Sequence, residues 1–484
     1  MAYLPNRPIV YHFLNNVNSG YKPKHLFFHY PELTLNSFIK AALEIMNSLI
    51  PVPSCDTITH MPDLTATLLP RLQQHRLPGL DLGNEMIHPN YTGLSILNIP
   101  TSLCHFLGVP PLGDGPLAPE ILSPLGEGYQ RLILVLMDAL ALHRFQLWMQ
   151  ESAWYELTQH GVLAPLTSVT PSTTSAALTS LWTGRSPAIH GITGYEMWLK
   201  EYGIVANTIL HAPITYQNDV GSLTRAGFDP EKFLNLPTLG QHLAAHGIKP
   251  YAFQHHSIVH SGLSRMFFQD VTARSFSTAA DLWVNLRQQI ENRPRERMFA
   301  SVYWGEVDGF SHRYGPDDER TAAEFASFSQ VFERLFLGRL KPEFRRDTLV
   351  ILTADHGQIA TQPNPYFDLR NHPGLVRRLH LLPTGEHRLA YLYVRPGQIE
   401  AVREYIGRTW PSQFRILDTP YAVEAGLFGL GEPHPRLLDR LGDLIVIARG
   451  DAYLWWADKE DHMYGRHGGL HPEEMLVPFL AARL

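Results

Sequence analysis

RLILVLMDAL, residues 131–140, and PLTSVTPSTTSAALTSLWTGR, residues 165–185, decide how the chain folds. The first opens with an apolar run too short to span a membrane, the pattern of a strand buried on both faces of a parallel sheet. It ends in Asp138. In open α/β sheets the carboxyl ends of such strands face the ligand crevice, which makes Asp138 a site candidate. In the second stretch Leu166 to Val169 predict a short strand, and Pro171 breaks it. Ser172, Thr173 and Thr174 then offer caps ahead of Ala176, Ala177, Leu178, Leu181 and Trp182 at helical spacing, and Gly184 stops the helix. Thr174 reads first as an N-cap. The same position also offers a phosphate free backbone N–H groups and a favourable dipole.

Working outward, strands alternate with helices. A helix is predicted over 236–246, a strand over 249–253, a helix near 278–291, a strand over 298–304, a helix over 319–340 and a strand over 348–353. This βαβ rhythm predicts a mostly parallel sheet sandwiched by helices. Residues 386–458 change character, reading strand, helix, strand, loop, short helix, strand, and predict a small α+β insertion. The segment 459–484 returns to the core, with LVPFLA expected at a sheet edge because Pro478 cannot donate to a central ladder. Residues 126–385 form the first part of the core. Residues 1–125 carry a candidate helix over 36–49 and a Pro/Gly-rich connector at 110–119, and are expected to wrap the core.

Two more acids follow strands of buried type. MFASVYWGEVDGFSH, residues 298–312, places Asp308 and His312 four residues apart, so both can converge on one ion from a single helical turn. TLVILTADHG, residues 348–357, delivers Asp355 and His356, and His467 precedes two glycines that allow close backbone approach. Any one of the chain's 25 histidines is more often a surface or core residue than a ligand. The conjunction of three acid-ended strands, two with a partnered His, is a carboxylate/imidazole set suited to divalent ions.

Composition excludes several functions. The net charge is −6, and charged residues make up 18% of the chain, against about 25% in a typical domain. The basic run RPRER at 293–297 is broken by Pro and Glu, so no nucleic-acid polymer is expected as a partner. MAYLPNRPIVYHFL lacks the basic and apolar regions of a secretory signal, and no apolar stretch is long enough for a membrane span, so a cytoplasmic protein without membrane contact is expected. Cys55 and Cys104 form no CxxC and are expected to be buried and inert.

The pieces LVLMDAL, TPSTTSAALTSLWTGRSPAIHGI, VDGFSHRYGP, LTADHG and HGG occur in one order across residues 131–480, and in this the chain resembles the alkaline phosphatase superfamily. Within it the chain looks most like the type I phosphodiesterase/nucleotide pyrophosphatase branch. The resemblance implies two divalent ions, zinc before manganese or magnesium. Asp138, Thr174, Asp355 and His356 would hold one, and Asp308, His312 and His467 the other. It makes Thr174 the nucleophile of a phosphoester hydrolase acting through a covalent phosphothreonine on a small-molecule phosphoester or nucleotide. A phosphomonoesterase or a phosphotransferase/mutase is the alternative.

Sulfatases share this fold but carry a Cys where this chain has Thr174, and without a thiol to oxidise their mechanism is excluded. Phosphoglycerate mutases of the fold place Ser there. Nucleotide pyrophosphatases follow HGI with an Asn, whereas this chain has Tyr195. Tyr195 and Trp198 are the candidate substrate-binding wall, which favours diesters.

Overall fold

The computed structural model describes residues 63–215 and 219–484. The candidate helix over 36–49, and Cys55, lie outside the described residues. The central sheet is built from β1 (Arg131–Met137), β2 (Gly161–Thr167), β3 (Lys249–His255), β4 (Thr272–Phe276), β5 (Met298–Trp304), β6 (Thr348–Thr353) and β7 (Leu476–Arg483). Its order is β2-β7-β6-β1-β5-β3-β4. β1 pairs in parallel with both β5 and β6, and β3 with both β4 and β5, while β7 runs antiparallel to both its neighbours. Helices sandwich the sheet, as the strand–helix alternation requires.

All seven residues of β1 are buried. Fully burying Leu132, Ile133 or Val135 stabilises the fold by about 1.5–3 kcal/mol each. The parallel pairing also aligns strand ends. Leu136 stands opposite Thr353, and Met137 opposite Trp304, so the chain leaves β1, β5 and β6 at one edge of the sheet.

β7 is not the edge strand that its proline suggested. It lies between β2 and β6, with Pro478 directly opposite Pro165. The outward groups of β2 are used by the N-terminal segment: Leu64 N–H donates to Leu163 O, and Thr167 N–H to Leu94 O. Pro165 lies between these two positions, so its nitrogen also faces outward. Pro478 correspondingly turns its nitrogen toward β6 one residue before their pairing begins at Phe479–Thr353. Neither proline therefore removes a ladder bond.

A second, antiparallel sheet of seven strands runs in the order Phe414–Asp418, Leu444–Ala448, Leu389–Leu392, Thr384–Glu386, Glu196–Leu199, Ile204–Asn207, Ala212–Pro213. The expected insertion over 386–458 supplies only part of it. Three strands come from the segment after the HGI turn, because Glu196 pairs with Gly385. Residues 64–125 send Leu68, Leu72, Ile96, Ile99, Leu103 and Phe106 into the same hydrophobic cluster as the central sheet. Cys104 is buried there as a free thiol, and burial pushes its pKa up to about 11.

Candidate metal centre and nucleophile

The aligned strand ends explain why residues from distant parts of the chain meet. Asp138 follows β1, Asp355 and His356 follow β6, and Asp308 lies in the first turn of α3 (Glu306–Tyr314), with α1 (Leu142–Trp148) and α2 (Thr174–Thr183) flanking the sheet. Ligand atoms of Asp138, Asp355 and His356 lie within 4.8 Å of one another, as do those of Asp308, His356 and His467. His356 thus belongs to both groups. His312 Nε2 is 3.3 Å from Asp308 Oδ1, and His467 Nε2 is 3.9 Å from the same oxygen.

All three histidines are oriented alike. Nδ1 of His312 contacts Gly465 O at 2.8 Å, Nδ1 of His356 contacts Gly357 O at 3.0 Å, and Nδ1 of His467 contacts Ser172 O at 3.1 Å. A carbonyl can only accept, so each Nδ1 carries the proton and each Nε2 is the nitrogen turned toward the acids. This is the tautomer a metal-ligating imidazole uses.

Asp138 Oδ1 and Asp355 Oδ2 are buried without a hydrogen-bond partner. Burial first, then the neighbouring Asp355 and Asp308, holds the Asp138 carboxyl well above the usual carboxylate range. Burial likewise raises Asp355. Converging buried carboxylate oxygens with nothing to balance them, faced by imidazole lone pairs, fit divalent cations.

Thr174 is the first residue of α2 and not its cap. Thr173 holds the cap position and makes no side-chain cap bond. That leaves the Thr174 hydroxyl free to sit 3.2 Å from His356 Nε2, beside the first acidic group. The loop before it is pinned to the His467 loop: Ser172 Oγ donates to Gly469 O at 2.7 Å, and Ser172 bridges Gly468. Gly468 has φ +107°, and a Cβ there would meet Glu386 Cβ at 2.3 Å, so only glycine fits.

The expected substrate wall is only partly assembled. Tyr195 is 40% exposed and its N–H donates to Glu386 Oε1 at 2.7 Å. Met197 is buried in the core, and Trp198 packs half-buried against it on the other strand face. Arg185 forms an ion pair with Asp114. A cavity of about 490 Å³ lined by Phe228, Glu231, His260, Arg265 and Phe268 includes none of the ligand candidates.

Three residues that the sequence did not single out touch this site. Tyr303 donates its hydroxyl to Asp138 Oδ2. Gln358 donates its amide to Asp308 Oδ1. Glu386 is buried beside Thr173 and Tyr195, and burial pushes its carboxyl up to about 7 against the pull of those two donors. Only Tyr303 and Gln358, close to the acid-bearing turns, carried any positional signal.

The profile of the type I phosphodiesterase/nucleotide pyrophosphatase family matches residues 132–470, well over half of the chain. The chain belongs to this family. Membership places it in the alkaline phosphatase superfamily and among phosphoester hydrolases. No curated protein matches the chain. Among solved structures the fold is similar to that of murine ectonucleotide pyrophosphatase/phosphodiesterase 5, with 16% identity and TM-score 0.55 over 72% of this chain and 87% of that one. The human counterpart has 14% identity and TM-score 0.54 over the same shares. Phosphonoacetate hydrolase from Sinorhizobium meliloti 1021, in complex with phosphonoformate, has 18% identity and TM-score 0.52 over 72% of this chain and 89% of that one. At these identities the likeness is one of fold. Among the described residues no helix is long and apolar enough to cross a membrane.

Proposed function

We propose that the protein hydrolyses small phosphodiesters, nucleotide derivatives among them, through a covalent intermediate on Thr174. The observation that carries this reading is the 3.2 Å approach of the Thr174 hydroxyl to His356, the residue shared by both ligand groups. A murine relative has been solved as an inactive threonine-to-alanine variant in complex with AMP, which supports a threonine nucleophile and a nucleotide ligand in this fold.

Asp138, Thr174, Asp355 and His356 would hold one divalent ion and Asp308, His312 and His467 the other. The mixed set of carboxylate, hydroxyl and imidazole donors suits zinc, with manganese or magnesium as the alternatives. Such ions supply the acidity that an isolated threonine hydroxyl lacks and balance the charge of the phosphoryl oxygens. The remaining chemistry belongs to the chain. α2 aims its free N–H groups and dipole at an anion beside Thr174. Thr174 Oγ attacks phosphorus and the alcohol leaves. Water then cleaves the Oγ–phosphorus bond, and two in-line displacements give net retention.

A diester is favoured over a monoester because Arg185 is engaged with Asp114 and so does not balance the extra charge of a monoester dianion. Acid-quenching the enzyme during turnover of a diester labelled in its phosphate tests the reading. Label retained on a Thr174 peptide is expected. Turnover with no labelled protein under single-turnover conditions would overturn the covalent route.

A further inference from the structure

Arg144 lies on α1 with a side chain only 3% exposed, six positions beyond Asp138. Its Nε donates to Asp317 Oδ1 at 2.9 Å, its Nη1 to the backbone carbonyl of Gln358 at 2.6 Å, and its Nη2 to Glu473 Oε2 at 2.6 Å. Asp317 follows the helix that carries Asp308 and His312. Gln358 follows Asp355 and His356, and Glu473 follows His467. One guanidinium therefore ties together the four segments that present acid or imidazole ligands.

Gln358 extends the tie inward. Fully buried, it directs its amide to both Asp308 Oδ1 and Asp308 O. Its path runs flush against Gly465, where a Cβ would come within 2.4 Å of Gln358 Oε1. Gly465 O is in turn the acceptor that fixes the His312 ring. A fixed orientation of Asp308 and His312 before any ion arrives is what a planar, five-donor fork and a buried amide can provide.

We propose that Gln358 and Arg144 are positioning residues for the metal centre, Gln358 for the Asp308–His312–His467 site by holding the carboxylate and Arg144 for both ligand sets by locking the segments that carry them. This rests on the two-ion reading above. Partners of this kind govern metal affinity by about 10- to 100-fold without touching the ion.

The test uses whole protein: wild type, Gln358→Met, which keeps the volume and loses the amide, and Arg144→Lys, which keeps the charge and loses the fork. Each is stripped with chelator and titrated with zinc, read by calorimetry and ion content, and its metal-free melting temperature is recorded. The expected result is two zinc ions per wild-type chain. For Gln358→Met, one ion should bind as in wild type and the other about 10- to 100-fold more weakly, with little change in melting temperature. Arg144→Lys, which loosens the segments of both ligand sets, should weaken both ions; a folded Arg144→Lys that binds both as wild type does overturns the role of Arg144, and if it does not fold, Gln358→Met decides alone. Gln358→Met binding both ions with wild-type affinity, or losing both equally with a fallen melting temperature, overturns the positioning role. A wild type that takes up fewer than two ions overturns the two-ion reading beneath it, so the two failures are distinguished.

Discussion

Nε2 of His356 lies 3.2 Å from the Thr174 hydroxyl and 3.4 Å from Asp138 Oδ1. One nitrogen thus adjoins the nucleophile and an acid of the first group, and the same residue belongs to the Asp308–His467 group. Nε2 carries the one lone pair of His356, so His356→Ala and Asp355→Asn should each cost the ion they share with Asp138 and leave the ion of Asp308, His312 and His467. Ion content of the two variants after identical purification checks this; loss of both ions in each would rule out the two-site partition.

Thr174→Ala should lower kcat by roughly 10³-fold or more with ion content nearly intact, since it deletes the attacking oxygen and one of several ligands. Thr173→Ala, at the cap without a cap bond, should cost little. A dead Thr173 variant beside an active Thr174 variant would shift the nucleophile by one residue.

The raised pKa of Glu386 has a signed consequence. Its folded value of about 7 lies above the unfolded one near 4.3, so its contribution is fully present below the unfolded value and is lost as pH rises through the folded one. Between about pH 4 and 7 the wild type should therefore lose stability that Glu386→Gln keeps. Melting temperatures of the two metal-free proteins should diverge, the variant higher at pH 8. Parallel curves would show that Glu386 ionises freely.

Diesters should be preferred: kcat/KM for bis-p-nitrophenyl phosphate should exceed that for p-nitrophenyl phosphate. Trp198 packs against the core, so Trp198→Ala should lower stability and leave this ratio unchanged, while Tyr195→Ala, with its exposed ring, should change it. A ratio below one for the wild type would transfer the preference to monoesters.

Glu474 and Arg388 form a doubly bonded pair at 2.8 and 2.9 Å with both side chains 0% exposed, and Glu474 also accepts from the Gly469 and His471 N–H groups. Glu474→Ala strands a buried guanidinium and should destabilise by about 3–5 kcal/mol in denaturant unfolding. The double variant Glu474→Leu with Arg388→Met should cost less than the single one.

Much of this arrangement is legible in sequence because parallel pairing turns strand order into site geometry: an acid after each of three buried runs is brought to one edge. The strands at 298–304 and 348–353 coincide with their predicted bounds. The helix expected over 319–340 continues only to Phe332 before a wider π segment. Pro478 misled because its effect on the ladder depends on which side its nitrogen faces, a property of register that no single strand reveals. Glu386 was invisible for another reason. It reaches the nucleophile's loop through the second sheet, whose pairing of Gly385 with Glu196 joins residues far apart in the chain.

The facing prolines of β2 and β7 also bear on the order in which the molecule is completed. During synthesis, β2 and β6 are made long before the strand that must lie between them, so the sheet carries a one-strand gap until residues 476–483 arrive. A slip of one residue would turn the nitrogen of Pro478 into the ladder with β2, which discourages other registers. The same late segment brings His467 to the acids. Closing the sheet and completing the ligand set therefore both wait for residues 467–483, and a nascent chain lacking them has neither a closed sheet nor the full centre.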